Sequence, residues 1–269
     1  MAAPFGLLYS SLMKFAWLGF ILVLSSCGTK DGYAPSTQSL LPSNPALLLD
    51  ASVSGYSSTC GSLWPDLSGN SFHGTHSGCA AGTSGWRGSN TPSDPNRLLF
   101  DGTNYISTSL DQQQSTVAHT TWMAWILPTN LPVGGANRMV FGIDNNGGAF
   151  NRSLVINNGG STFASYTGAA NWASSLTATA DVWQFVAVKF TPSDIVVYKN
   201  SSSSARGSAP SYGATALRFT IGRSNGGAGG EAFIGSMAWV AVYNRELSDS
   251  DIAKACHATK DRFLGATCQ

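Results

Sequence analysis

The chain has 269 residues, a length at which an all-β sandwich commonly forms one domain. Apolar residues at 43% supply a core and exclude wholesale disorder, while charged residues at 11% fall far below the roughly one quarter of an average soluble domain. A net charge of +1 gives no electrostatic footprint for nucleic acid, and only two glutamates, Glu231 and Glu246, argue against a mainly helical protein.

Residues Phe15 to Leu24 (FAWLGFILVL) are apolar throughout and follow Met13-Lys14. They are too few to cross a bilayer, which takes about 20 residues, but they fit a secretory signal. The run ends in Leu24-Ser25-Ser26-Cys27, which resembles the lipobox of bacterial lipoproteins. That resemblance implies cleavage before Cys27 and lipid on its sulfur, with residues 1–26 as signal peptide and membrane attachment through the lipid anchor only. Met13 is a candidate start, because residues 1–12 carry no charge. Gly28 stands where an Asp would resemble the inner-membrane retention signal of enteric bacteria, so outer-membrane placement is expected, facing the periplasm or the exterior. Residues 27–46 are rich in Gly, Pro and Ser, as a flexible tether should be. Setting Cys27 aside leaves Cys60, Cys79, Cys256 and Cys268, an even set expected to form two disulfides in an oxidising compartment. Sequence allows three pairings; the local ones, Cys60–Cys79 and Cys256–Cys268, are favoured.

From Leu47 the chain reads as short strands parted by Gly, Asn, Ser and Pro clusters. The candidates are 47–51, 97–100, 105–107, 120–127, 138–143, 153–157, 162–166, 183–191, 195–199, 217–221 and 232–244. Trp122 to Leu127 is apolar on both faces, which predicts a central strand covered on each side. Ser248 followed by Asp249 and Asp251 predicts the capped start of a short terminal helix. No repeat of 20–50 residues is visible, against a propeller or solenoid.

Several segments in this order resemble LamG-like jelly-roll domains of the concanavalin A-like lectin/glucanase superfamily. They are Asp66 to Thr75 (DLSGNSFHGT), Leu99 to Ile106 (LFDGTNYI), Thr121 to Pro128 (TWMAWILP), Trp183 to Phe190 (WQFVAVKF), Val196 to Asn200 (VVYKN) and Phe233 to Ile252 (FIGSMAWVAVYNRELSDSDI). The resemblance covers roughly residues 47–258 and implies an all-β, two-sheet antiparallel jelly-roll sandwich with a short C-terminal helix, within a domain 47–269. Phe100, Trp125, Trp183 and Tyr198 are then expected to fill the space between the sheets. The chain departs from the family pattern at Met237-Ala238, where Ile-Asp is usual, and at Ser201, where a turn glycine is usual. Any role of that carboxylate in relatives is not carried over.

Glycoside hydrolysis normally needs two carboxyl groups flanking the scissile bond. No candidate strand carries two acids on one face, and Asp249 and Asp251 are explained by capping. None of His73, His76, His119 and His257 has a nucleophile-elbow context, so no catalytic residue is assigned. His73-x-x-His76-x-x-Cys79 has metal-like spacing, but in an exported protein Cys79 is better read as a disulfide partner. Asp144 with Asn145, Asp66 and Asp101 are the candidate calcium ligands, with Asx-turn chemistry as the simpler account. Tyr166, Asn171 and Trp172, in a Gly/Ala/Ser-rich stretch, are the candidate ligand-binding residues. An aromatic ring can stack on a sugar while amides bond its hydroxyls, although rings such as these, Trp86 and Tyr212 can equally plug the ends of the core. The expected function is non-enzymatic recognition of a glycan or glycoprotein. The alternatives are a structural or protein-binding surface lipoprotein and an unusual glycan-acting hydrolase.

Overall fold

A computed structural model describes residues 40–53, 62–78, 84–132, 134–143, 152–166, 171–208, 217–224 and 231–269, with the side chains of Tyr166 and Asn171 excepted. All of these lie in one compact unit, Gly32–Gln269. The expected signal peptide, Cys27, most of the tether and the Cys60–Cys79 pair fall outside the described residues. No described helix is long and apolar enough to cross a membrane.

In chain order the strands are β1 (Leu47–Asp50), β2 (Leu63–Trp64), β3 (Gly74–Ser77), β4 (Gly85–Arg87), β5 (Arg97–Asp101), β6 (Tyr105–Asp111), β7 (Thr120–Pro128), β8 (Arg138–Gly142) and β9 (Ser153–Ile156). They continue with β10 (Thr162–Tyr166), β11 (Asn171–Thr177), β12 (Gln184–Phe190), β13 (Asp194–Lys199), β14 (Ser202–Ser203), β15 (Gly207–Ser208), β16 (Arg218–Ile221) and β17 (Ile234–Tyr243). Helix α1 (Asp249–Thr259) and a 3-10 turn, Lys260–Arg262, follow. A nine-stranded sheet runs β14-β13-β12-β7-β17-β5-β4, with β1 also on β17 and β15 on β13. An eight-stranded sheet runs β11-β10-β9-β8-β16-β6-β3-β2. The paired strands are antiparallel, so the expected two-sheet sandwich is the observed one.

Strand β7 is central, between β12 and β17, and its two faces meet different layers. Inward, Trp122 packs on Phe219 at 5.0 Å, Phe141 at 5.8 Å and Phe190 at 4.8 Å, joining the two sheets. Outward, Trp125 stacks on Phe263 at 4.6 Å and donates from Nε1 to Thr259 Oγ1 at 2.6 Å. Trp183 also meets Phe263 at 4.6 Å, and the Tyr198 hydroxyl donates to Asp249 Oδ1 at 2.7 Å. Trp125, Trp183 and Tyr198 therefore lie under the C-terminal segment, not between the sheets as expected. The physical reason is that strand alternation sends neighbours to opposite faces, and this sheet has an apolar cover on each. A bidentate pair from Arg262 to Asp50, at 2.8 and 2.6 Å, fixes the C-terminal layer onto β1.

Helix α1 begins where its sequence predicts: Ser248 is the N-cap and its hydroxyl accepts from Asp251 N at 3.1 Å. Cys256 and Cys268 are disulfide-bonded, with Cα atoms 6.0 Å apart. Beyond the bridge, Gln269 N donates to Asn200 O and Ser201 Oγ, both at 2.9 Å. Asn200 and Ser201 form the tight β13–β14 turn at φ of 49° and 67°. Ser201 stands there in place of the usual glycine, and its hydroxyl gains partners that a glycine would lack.

Because the bridge closes a short loop that holds the outer cover, Cys256→Ser with Cys268→Ser should cost about 2–3 kcal/mol in urea unfolding. A midpoint equal to that of the oxidised parent would contradict this placement of the C-terminal layer.

Candidate functional site

Because the nine-stranded sheet is covered on both sides, the outer face of the eight-stranded sheet is the candidate surface among the described strands. On β6, Ile106, Thr108 and Leu110 are buried, so Tyr105, Ser107, Ser109 and Asp111 occupy the opposite face. Ser77 lies opposite Tyr105 and Thr75 opposite Ser107 on β3, while Thr220 faces Ser107 and Arg218 faces Asp111 on β16. Further across this face, Thr220 and Ser153 are buried, and Met139, Val155 and Ala164 make a small buried cluster separate from the main core. Two parts of this face are accessible: a strip along β6, where Ser109 and Arg218 are exposed, Tyr105, Ser107, Asp111, Thr75 and Ser77 are half-buried and Leu63 is exposed beside Thr75, and the far edge at β11, where Ala173, Ser175 and Thr177 are exposed.

Polar contacts fix both ends of the strip. The Arg223 guanidinium sits 5.7 Å over the Tyr105 ring and donates to Thr103 O at 3.3 Å. Arg218 Nη1 is 3.9 Å from Asp111 Oδ2, and Asp111 Oδ1 accepts from Gln113 N at 2.9 Å. Between them lie Ser and Thr hydroxyls, which both donate and accept hydrogen bonds, as sugar hydroxyls do. The strand predicted from sequence, 105–107, extends in the structure to Asp111. The period-two alternation of Ile106, Thr108 and Leu110 against Tyr105, Ser107 and Ser109 was the available signal.

The described calcium candidates are engaged by backbone and hydroxyl groups, in local turns and, for Asp66, also from β1. Asp66 Oδ1 accepts from Leu48 N and Ser68 N at 3.0 and 2.9 Å, and Oδ2 from Phe72 N and Ser68 Oγ at 2.9 and 2.8 Å. Asp101 Oδ1 accepts from Thr103 N at 2.9 Å and from its hydroxyl at 2.7 Å. The bonds to Ser68 and Thr103, two residues on, are those of Asx-type turns. Asp144 and Asn145 lie outside the described residues. His73 Nδ1 accepts from Asp66 N at 3.0 Å, whereas His76 Nε2 lies 2.8 Å from Asn104 Nδ2, so the two histidines have separate partners. Burial lowers the pKa of His76 against the pull of Asp101. Among the described residues no group of three His, Cys, Asp or Glu is placed to hold a metal.

The predicted aromatic site is only partly assembled. Tyr166 and Asn171 are register partners at one end of the β10–β11 pair. Trp172 pairs with Ser165, is half-buried, and packs against the inter-sheet core. Its indole lies so close to Gly207 that a Cβ there would come within 2.4 Å. Trp172 therefore closes the edge of the sandwich between β11 and β15, the plugging role set out above beside the stacking one. Trp86 is buried edge-on to Trp64 at 5.3 Å. Tyr212 lies outside the described residues.

Against known proteins, the profile described as the concanavalin A-like lectin/glucanases superfamily matches residues 100–253. The chain belongs to that superfamily. No curated protein sequence matches it. Among solved structures, a Trypanosoma rangeli sialidase superposes with TM-score 0.58 at 19% identity, over 83% of this chain and 34% of the sialidase. The chain thus spans about a third of that enzyme's length. Domain 4 of an extracellular arabinanase from Geobacillus stearothermophilus, in complex with arabinotriose, gives 0.54 at 16%, over 71% of this chain and 91% of that domain. A botulinum neurotoxin type C, which depends on interaction with two ganglioside molecules to enter cells, gives 0.52 at 12%, over 80% and 51%. At these identities the likeness is one of fold.

In this superfamily domain the other concentration of charge lies at the start of α1. Lys189 is buried, with Nζ 2.9 Å from Asp249 Oδ1 and 3.4 Å from Glu246 Oε1, and His119 stands 4.0 Å from Glu246. Burial alone would lower Lys189, but its bonds to Tyr198 and Asp249 prevail and raise its pKa to about 12. Burial, reinforced by the Asp249 carboxylate, outweighs Lys189 and raises Tyr198 to about 12 as well. Hydrogen bonds from Lys189 and Tyr198 hold Asp249 below the usual carboxylate range. The cluster pins the helix start to β12 and β13.

Both Lys189 and Tyr198 hold their protons more tightly when folded. Their contribution is therefore complete below the ordinary values of 10.5 and 10.0 and is lost as pH rises toward about 12. Stability followed by urea unfolding should fall between pH 10 and 12, with a shallower slope in Lys189→Met and Tyr198→Phe. An identical slope in both variants would contradict the coupling.

Proposed function

We propose that this domain is a non-catalytic glycan-recognition module, held to the bacterial outer membrane through lipid on Cys27, and that the β6 strip is its contact surface. The observation that carries the reading is the strip itself: an open row of Ser and Thr hydroxyls ending in Tyr105, on a domain whose other sheet is covered on both faces. Hydroxyls match the donors and acceptors of a sugar, and a tyrosine ring offers a partly apolar surface for its C–H groups. Solved structures of similar fold include one holding arabinotriose and a toxin that interacts with gangliosides, which supports glycan partners. The fold alone does not carry function, so the argument rests on the strip.

On a glycan array, Tyr105→Ala should reduce binding about tenfold or more with an unchanged melting temperature, whereas Trp172→Ala should act mainly by lowering stability. Binding lost selectively in Trp172→Ala would move the site to the β10–β11 edge, and a parent protein that binds no glycan would favour a structural or protein-binding role.

The anchor rests on the Leu24-Ser25-Ser26-Cys27 sequence after a short apolar run. Cys27→Ser should yield an unprocessed precursor that incorporates no labelled palmitate. Normal incorporation in that variant would refute lipidation at Cys27.

A further inference from the structure

Beneath the Tyr105 end of the strip, two buried side chains meet in a way that fixes their protons. Asn104, fully buried in the turn between β5 and β6, accepts from Asp101 N through Oδ1 at 2.9 Å and donates through Nδ2 to Leu99 O at 2.9 Å. Those two backbone partners allow its amide one orientation, so Nδ2 is also the donor to His76 Nε2 at 2.8 Å. Nε2 must then be the bare nitrogen of a neutral imidazole, with the ring proton on Nδ1. His76, on the inward face of β3, is 3% exposed. A proton added at Nε2 would set N–H against N–H between two buried groups. Turning the Asn104 amide over would not help, because the bonds to Asp101 N and Leu99 O would both be lost.

We infer that His76 is an acid-sensitive positioning residue: protonation of its Nε2 breaks the bond from Asn104, loosens the β5–β6 turn and so weakens glycan binding at the Tyr105 end of the strip. The consequence for binding rests on the glycan reading above; the cause rests on the buried bond. Turn and strip are joined by the chain itself, since Tyr105 follows Asn104 and pairs with Ser77, which follows His76. Contacts made by side chains held in place lose strength when their support moves. Of the strands beside β3, β2 brings Leu63 and Trp64, and β6 brings Ile106 opposite His76, none of them titratable. Asp101, at the end of β5, favours a charged imidazole, but its Oδ1 is engaged by Thr103, and burial prevails, holding His76 below its ordinary value of 6.5. Arg223 reaches the same turn from the strip side, donating to Thr103 O at 3.3 Å. A histidine that takes its proton less readily when folded contributes fully above 6.5, and that contribution is lost as the pH falls below it.

Imidazole nitrogen shifts and amide exchange, read by NMR on the whole protein, test this without a ligand. At about pH 7.5 the His76 proton should sit on Nδ1. From about pH 7.5 to about pH 5, protection of the Asp101, Thr103 and Asn104 amides should fall about tenfold or more, while that of the β12 amides holds. His76→Gln, whose amide oxygen can accept from Asn104 at either pH, should abolish the fall, and His73→Gln, at an exposed ring, should keep it. Over the same range the parent's affinity for a neutral glycan should drop about threefold or more, and that of His76→Gln should stay level. A proton on Nε2 at neutral pH, protection in the parent that is flat with pH, or a fall that persists in His76→Gln would each overturn the inference. Loosening of the turn with no loss of affinity would overturn its link to the strip. A parent that binds no glycan at either pH would end the glycan reading and the consequence for binding with it, while amide exchange still decides the role of His76 in the turn.

Discussion

The nine-stranded sheet is apolar on both faces, and a sheet of that kind persists in water only if each face is covered. Trp122 and Trp125, three residues apart on β7, show the two solutions side by side. The first is buried against Phe141 and Phe219 of the opposing sheet, the second against Phe263 and Thr259 of the C-terminal segment. Burying such a ring stabilises by a few kcal/mol, and losing one typically costs about 3–5 kcal/mol. The helix, the Arg262–Asp50 pair and the Cys256–Cys268 bridge all serve to keep the second cover in place.

That arrangement positions the proposed contact surface. One face of the eight-stranded sheet is consumed by the core. On the other, Met139, Val155, Ala164, Ser153 and Thr220 are buried, which separates the strip along β6 from the exposed edge at β11. The strip is rigid for a physical reason. Its strand is paired on both sides, with β3 and β16, and the turn before it is tied down by Asp101, Asn104 and His76. A sugar-sized ligand with many weak polar contacts gains most from such preorganisation, because little surface has to be ordered on binding.

Among the described residues, Asp66 and Asp249 are occupied with architecture. Asp66 gathers two backbone amides on one oxygen and a third on the other, and Asp249 joins Lys189 and Tyr198 at the helix start. In a chain with so few charged residues, each buried carboxylate or ammonium must find partners, since an unpaired one would cost several kcal/mol. Arg152 shows the same logic: fully buried, it donates to the carbonyls of Gln112, Val117 and Ala118 and so shapes the loop before β7.

The amino-acid sequence alone determined the sandwich. Runs such as Trp122 to Leu127, the turn residues between them and the Ser248 cap are local signals, and local signals survive without knowledge of contacts. It did not reveal which face each aromatic ring would take, because alternation specifies two sides and not what covers them; hence Trp125, Trp183 and Tyr198 lie beneath the helix layer. Nor did it reveal the strip. Ser107 and Ser109 look like loop residues until β3 and β16 flank them, and Arg218 and Arg223 reach Asp111 and Tyr105 only through the pairing of strands more than a hundred residues apart. Long-range register is a property of the folded sheet, and it alone brought those side chains onto one surface.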